Sequence, residues 1–325
     1  MPAVLAENLK RSFAVTQKEP GLFGSVKALF KPNRTYVEAV KGIDLSIEQG
    51  ELVGFLGPNG AGKTTTIKML TGILYPTSGR AEVLGFTPFD RKQEMLKQVS
   101  LVMGNKNQLW WDLPAMESFR VMKEVYEVSD ADFKKRLDRL VDALDMGEKV
   151  NSQVRKMSLG ERMKCELIAA LLHNPKVVFL DEPTIGLDLV SQRRIREFLQ
   201  ELNRETGCTI MLTSHYMQDV QELCDRIVVI DHGTKVFDGA LDALLRDYAD
   251  TRRLKLTLSE DVSRETLETF GSVTELEANV ATLAIASSDV TAITARALSE
   301  LPVADVALES VSLDEIIRDI FGRGR

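Results

Sequence analysis

Long apolar runs are absent from this chain. No stretch approaches the roughly 20 residues needed to cross a bilayer, so any work at a membrane calls for spans supplied by other chains. A secretory leader is not expected, because residues 1–13 lack a basic start, a long apolar segment and a cleavage site. Cysteine is scarce. The three present, Cys165, Cys208 and Cys224, are odd in number and lack metal-ligand spacing, which points to buried free thiols in a reducing cytosol. Positive charge is not in excess: the net charge of −7 speaks against nonspecific nucleic-acid binding as the main task. Internal repeats and low-complexity segments are missing too. What remains is an ordinary globular composition, 44% apolar and 27% charged, in 325 residues, enough for one large domain and a smaller one.

One motif fixes the ligand class. Gly57-Pro58-Asn59-Gly60-Ala61-Gly62-Lys63-Thr64 completes the phosphate-loop pattern G-x-x-x-x-G-K-[ST]. Its glycines let the backbone curl so that N–H groups point inward at a polyphosphate. Lys63 then reaches the β- and γ-phosphates, and the Thr64 hydroxyl binds Mg²⁺. The flanks agree. Residues 52–56 read as a short buried parallel strand, and the segment from Thr65 to Leu70 continues as a helix ended by Gly72.

The rest of the chain alternates strand-like and helix-like segments up to about residue 245, an α/β signature. Residues 17–35 read as an insertion rich in Lys, Arg, Pro and Gly. Within it Leu22, Phe23, Val26, Leu29 and Phe30 share one helical face, which suits either a membrane surface or partner at residues 22–30, or packing on its own domain. Residues 113–172 are helix-rich. Buried strands are expected at 176–180 and 209–213, and a hairpin turn at 231–234. Beyond about residue 250 the pattern changes to strands at 254–258, 272–277, 280–286 and 303–309. Helices are expected there at 261–270, 289–301 and 313–321, the last capped by Ser312 with Glu315. The expected organisation is an α/β phosphate-loop NTPase domain over 1–245, with a helical subdomain, and an α+β module over 250–325 that carries no catalytic constellation.

The strand at 176–180 runs into Asp181-Glu182-Pro183. An acid at the C-terminal end of a buried strand is where Mg²⁺ is held in phosphate-loop proteins, which assigns Asp181 to the metal. Glu182 is then placed to polarise the attacking water as general base.

Between these motifs stands Met157-Ser158-Leu159-Gly160-Glu161, followed by a helix. Here the chain resembles the ATP-binding-cassette ATPases, whose signature is Leu-Ser-Gly-Gly-Gln. Ser158 and Gly160 match; Met157, Leu159 and Glu161 depart. The resemblance implies that Ser158 and Gly160 contact the γ-phosphate of ATP held by a second copy, a role that suits a hydroxyl and a close-packed glycine at a helix N-terminus. A carboxylate at Glu161 would repel that phosphate unless it points away. Ile185-Gly186-Leu187-Asp188 resembles the loop that joins the two sites across the dimer. His215 resembles the switch histidine at the γ-phosphate. Phe13 aligns with the aromatic residue that stacks on adenine, with Tyr36 as competitor. Asn105 stands where the family has a glutamine that touches Mg²⁺ and the attacking water; Gln108 lies three residues later. Trp110 and Trp111, the only two tryptophans, follow in the loop where such ATPases meet their permease.

Over residues 5–245 the chain is similar to ATPase subunits of ABC-2-type exporters, in a bacterial branch of that group. Its C-terminal module resembles the small domain that follows many of them. The resemblance implies ATP and Mg²⁺ as ligands and a homodimer that sandwiches two ATP molecules. It also implies permease subunits as membrane partners, a peripheral place on the cytoplasmic membrane face, and no nucleic acid. The alternatives are a cytosolic ATPase without transport, which usually carries two cassettes or a coiled coil, and a dimer switch that hydrolyses weakly.

Overall fold

The structure, a computed structural model, describes residues 1–16, 34–104, 106–214, 216–249, 251–310, 313 and 315–317. The amphipathic segment expected at 22–30, Asn105, His215 and the cap residue Ser312 lie outside the described residues. The chain divides into two units, Met1–Asp238 and Gly239–Arg325.

The first unit opens with β1 (Val4–Thr16) and β2 (Arg34–Ile47), paired antiparallel, and β4 (Ser78–Val83) adds to the other edge of β1. The period-two alternation that favours a half-buried strand is plain in β2: Ile43, Leu45 and Ile47 are buried while Lys41 and Asp44 face water. A second sheet has the order β5-β6-β7-β3-β8-β9, from β3 (Leu52–Leu56), β5 (Val99–Met103), β6 (Val177–Asp181), β7 (Thr209–Thr213), β8 (Arg226–Asp231) and β9 (Thr234–Ala240). Every residue of β3, β6 and β7 is buried, as parallel strands covered on both faces require. Because β5, β6, β7, β3 and β8 run parallel, the ends of β3, β6 and β7 gather Leu56, Asp181 and Thr213 on one edge of the sheet.

Helix α1 (Lys63–Leu70) leaves β3 through the glycine loop and buries Ile67, Met69 and Leu70. One apolar cluster joins these to Ile43 and Ile47 of the antiparallel sheet and to Phe55, Phe179 and Val228 of the parallel sheet. That packing fixes the start of α1 against the strand ends. The helical region follows with α2 (Ala115–Val125), α3 (Asp130–Ala143) and α4 (Leu159–Leu171). Ser129 caps α3 through the Asp132 amide, and Asp130 and Asp132 sit in its first turn, where the helix dipole favours them. Helix α5 (Leu189–Thr206) ends on Gly207 at φ 65, a left-handed cap that favours glycine, and α6 (Met217–Leu223) precedes β8. All three cysteines are free and buried. Burial pushes the Cys165 and Cys208 thiols up to about 12, which removes them as nucleophiles.

His173, between α4 and β6, is buried and stacks on Tyr126 with ring centroids 3.8 Å apart and planes 6° from parallel. Burial, with the Arg136 charge adding to it, lowers the imidazole to about 4 from an ordinary 6.5. The unfolded chain therefore binds this proton first. The stabilisation is complete above pH 6.5 and is lost as pH falls toward 4, in all roughly 3 kcal/mol. His173→Phe keeps a ring on Tyr126 but takes no proton. Its melting temperature should therefore fall less than that of the native chain between pH 6.5 and 4; parallel melting curves would contradict the assignment.

The second unit is α7 (Leu241–Ala249), then β10 (Thr251–Leu258), α8 (Arg264–Glu268), β11 (Ser272–Glu277), β12 (Val280–Ala286), α9 (Val290–Glu300) and β13 (Val303–Ser310). Its antiparallel sheet has the order β11-β12-β10-β13, a β-α-β-β-α-β weave. Leu254, Leu256, Leu283 and Ile285 meet Leu267, Phe270 and Ala297 in its core. The helix expected over 261–270 is shorter, because Ser263 turns its hydroxyl onto the Thr266 amide and starts the helix there. Among the described residues no helix is long and apolar enough to cross a membrane.

Candidate nucleotide site

The glycine loop sits between β3 and α1. Gly60 and Gly62 have φ of 82 and 107, a region that penalises any side chain. A Cβ on Gly57 would strike the Ile230 carbonyl, and one on Gly62 the Ala39 carbonyl. The loop is thus wedged between β2 and β8, with Ala61 buried and Pro58, Asn59 and Gly60 exposed. Lys63 folds over the loop, its Nζ donating to the Gly57 and Pro58 carbonyls at 2.7 and 3.2 Å. Burial lowers the Lys63 ammonium from the usual lysine range, while Glu182 and Asp181 pull it back up. Thr65 follows in the first turn of α1.

The Asp181 carboxylate is buried at the end of β6 and collects two hydroxyls. Thr64 Oγ1 donates to Oδ2 and Thr213 Oγ1 donates to Oδ1, each at 2.8 Å. Two of the three residues expected to bind Mg²⁺, Thr64 and Asp181, are therefore in direct contact, and their donors are hard oxygens of the kind that ion takes. Glu182 is held next door. Its φ of 59 is left-handed, and its amide donates to the carbonyl and hydroxyl of Thr213 at 3.1 and 3.0 Å. Gly104, just past the end of β5, presses on it: its amide donates to the Asp181 carbonyl at 2.8 Å, and a Cβ there would strike the Glu182 carbonyl.

Behind these loops lies a network that the sequence did not announce. Asp219, only 1% exposed, accepts Ser214 Oγ at 2.7 Å, the Thr184 hydroxyl, and Arg196 Nη1 at 2.9 Å. Thr184 follows Glu182 by two residues, and Ser214 precedes His215. One buried carboxylate thus ties the two loops to α5.

A second group forms around α4 and α5. Ser158 caps α4: its Oγ accepts the Glu161 amide at 3.2 Å, and Glu161 Oε2 accepts the Ser158 amide at 3.0 Å. Lys149 Nζ lies 2.6 Å from Glu161 Oε1 and holds that carboxyl below its usual range. Glu161 is thereby committed to its own helix end. Asp188 caps α5 through Ser191 N and Oγ at 2.9 and 2.7 Å, and a Cβ on Gly160 would strike Ser191. The signature and the loop after Glu182 are therefore packed together. Phe13 lies on β1 opposite Val37, with the Arg11 guanidinium 4.6 Å from its ring centroid, and Tyr36 is exposed beside it. Trp110 and Trp111 are 48% and 44% exposed.

This geometry defines a phosphate-loop ATPase cassette with an additional antiparallel-sheet domain. Sequence comparison makes it specific. The family model for ABC transporters matches residues 40–185, and that for the C-terminal domain of EvrA-like ABC transporters matches 250–309. The ABC transporter ATP-binding protein NatA of Bacillus subtilis (strain 168) is 36% identical over 215 residues, covering 66% of this chain and 87% of that protein. The daunorubicin/doxorubicin resistance ATP-binding protein DrrA of Streptomyces peucetius is 32% identical over 298 residues, 87% of this chain and 88% of its own. The fold matches a dimeric ATP-binding cassette in a post-hydrolysis state bound to ADP and Pi, with TM-score 0.61, 22% identity, and coverage of 73% and 98%. The chain belongs to the ATP-binding proteins of ABC transporters. It is an ATP-hydrolysing subunit of the kind that works with separate permeases.

Proposed function

We propose that two copies of this chain sandwich two ATP·Mg²⁺ and drive export through ABC-2-type permease subunits from the cytoplasmic face of the membrane. The observation that carries this is the Asp181 carboxylate in direct contact with Thr64, with Glu182 fixed beside it. In each site the glycine loop, Lys63, Thr64 and Thr65 hold the phosphates. Thr64 and Asp181, joined by Asn105, hold Mg²⁺, which neutralises charge on the departing phosphoryl group when bound. Glu182 accepts the proton of the attacking water, His215 contacts the γ-phosphate, and Phe13 stacks on adenine. Ser158 and Gly160 of the second copy complete the site, with Asp188 linking the two. The commitment of Glu161 to Ser158 and Lys149 supports an ordinary rather than a weakened signature contact.

Export is supported by relatives of this chain, among them a Nod factor export ATP-binding protein of Cupriavidus metallidurans that is 34% identical over 200 residues. The exposed Trp110 and Trp111 are the permease contact, since exposed adjacent tryptophans are typical interface anchors. Trp110→Ala with Trp111→Ala should spare basal ATP hydrolysis yet weaken permease association by roughly 30-fold or more. Undiminished co-purification with membrane subunits would remove this assignment.

A further inference from the structure

The loop that carries the tryptophans is gripped from one helix. Glu166, on α4, is only 4% exposed. Its Oε1 accepts the backbone amides of Gln108 and Leu109 at 2.7 and 3.2 Å. One turn earlier on the same helix, the Arg162 guanidinium lies 4.9 Å from the Trp111 ring centroid. Other tethers bind the loop elsewhere: Trp110 N to Ser118 Oγ at 3.1 Å, and Gln108 Nε2 to the Leu101 carbonyl at 2.7 Å. The Trp111 carbonyl also accepts the Arg155 amide at 3.0 Å, just ahead of Ser158 in the chain, but among the described tethers it is the Glu166 and Arg162 side chains that reach the loop from α4 itself.

A carboxylate buried in an otherwise apolar helix face is costly unless something compensates it. Met163, Leu167, Ile168 and Leu171 on this helix are all buried. Burial pushes the Glu166 carboxyl up, and the Gln108 and Leu109 amides are the leading opposing influence. Two amide bonds to the one oxygen Oε1 hold the loop to the helix, while Oε2 is buried with no hydrogen-bond partner among the described residues. Helix α4 itself is stiff. Ser158 and Glu166 are eight positions apart, about 12 Å along the helix axis at its rise per residue. A push on the loop is therefore delivered to the Ser158 end as motion of one rod.

We propose that Glu166 is a positioning residue that pins the Gln108–Trp111 loop to helix α4, so that the permease-facing loop and the partner-facing Ser158 move as one body. The claim rests on the roles given above to Ser158 and the tryptophans, but the pin itself does not.

The full-length chain offers a direct readout, because Trp110 and Trp111 are its only tryptophans. Glu166→Met keeps the volume and removes the acceptor; Glu166→Gln keeps an acceptor oxygen. In Glu166→Met, tryptophan emission should shift to the red with greater acrylamide quenching, and amide exchange at 108–109 should quicken about fivefold or more. Glu166→Gln should stay near the native values. Unchanged fluorescence and exchange in Glu166→Met would overturn the pin, whatever the chain transports. The coupling is read in the reconstituted complex with its permeases. Permease-stimulated ATP turnover should fall toward the basal rate in Glu166→Met and recover in Glu166→Gln. Full stimulation in a Glu166→Met chain whose loop has demonstrably loosened would overturn the coupling and leave the transport reading untouched. Lost stimulation in Glu166→Met with native fluorescence and exchange would likewise overturn it.

Discussion

Glu182→Gln is expected to cut steady-state ATP turnover by roughly 10²- to 10⁴-fold, the usual worth of a general base, while ATP still binds. Gln fills the same space, keeps the left-handed backbone held by Thr213, and cannot take a proton. The phosphate-holding residues Lys63 and Thr64 are untouched. Their geometry is set by the wedged glycine loop and by Asp181. The variant should therefore stall with ATP bound and accumulate as a dimer. Size measurement of purified Glu182→Gln with and without ATP·Mg²⁺ checks this. A chain that turns over normally, or stays monomeric with saturating ATP, would contradict the two-copy site.

The second large effect is structural. Asp219→Ala removes the acceptor of Ser214, Thr184 and Arg196 at once, and leaves Arg196, 6% exposed, short of its buried partner. Breaking a buried pair from one side costs about 3 to 5 kcal/mol. The lower figure applies here, because Arg196 Nε keeps Glu222 at 2.6 Å. For a unit of this size about 3 kcal/mol lowers Tm by roughly 6 to 12 °C. Turnover should also fall, since the loops bearing Glu182 and His215 lose their common tie. Asp219→Leu with Arg196→Met removes both charges and should regain much of the Tm without regaining turnover. A Tm for Asp219→Ala within a degree or two of native would show that the network carries little.

Much of the fold was legible because its strongest signals are local. The buried strand expected at 52–56 and that at 209–213 coincide with β3 and β7, since parallel strands covered on both faces must be apolar throughout. The phosphate loop declared itself through glycines whose backbone angles leave no alternative. Asp181 and Glu182 were visible only through their place at a strand end. What escaped the sequence was tertiary. Asp219 looks like a surface acid in α6 until Thr184, Ser214 and Arg196 are brought around it. Glu166 looks like one more charged residue of a helix until Gln108 and Leu109 fold onto it. A carboxylate at Glu161 repels an incoming phosphate unless it points away; its capping box with Ser158 follows from a readable three-residue spacing, but its bond to Lys149 does not.

The central claim is that this chain is the ATP-driven half of a membrane export machine. Its most direct test is to purify the full-length Glu182→Gln chain from its native membranes with ATP·Mg²⁺ and identify what comes with it. The account predicts multi-span membrane chains in stoichiometric amount with a dimer of this subunit. Recovery of the dimer alone, or with ribosomal or DNA-bound partners in place of membrane chains, would contradict it.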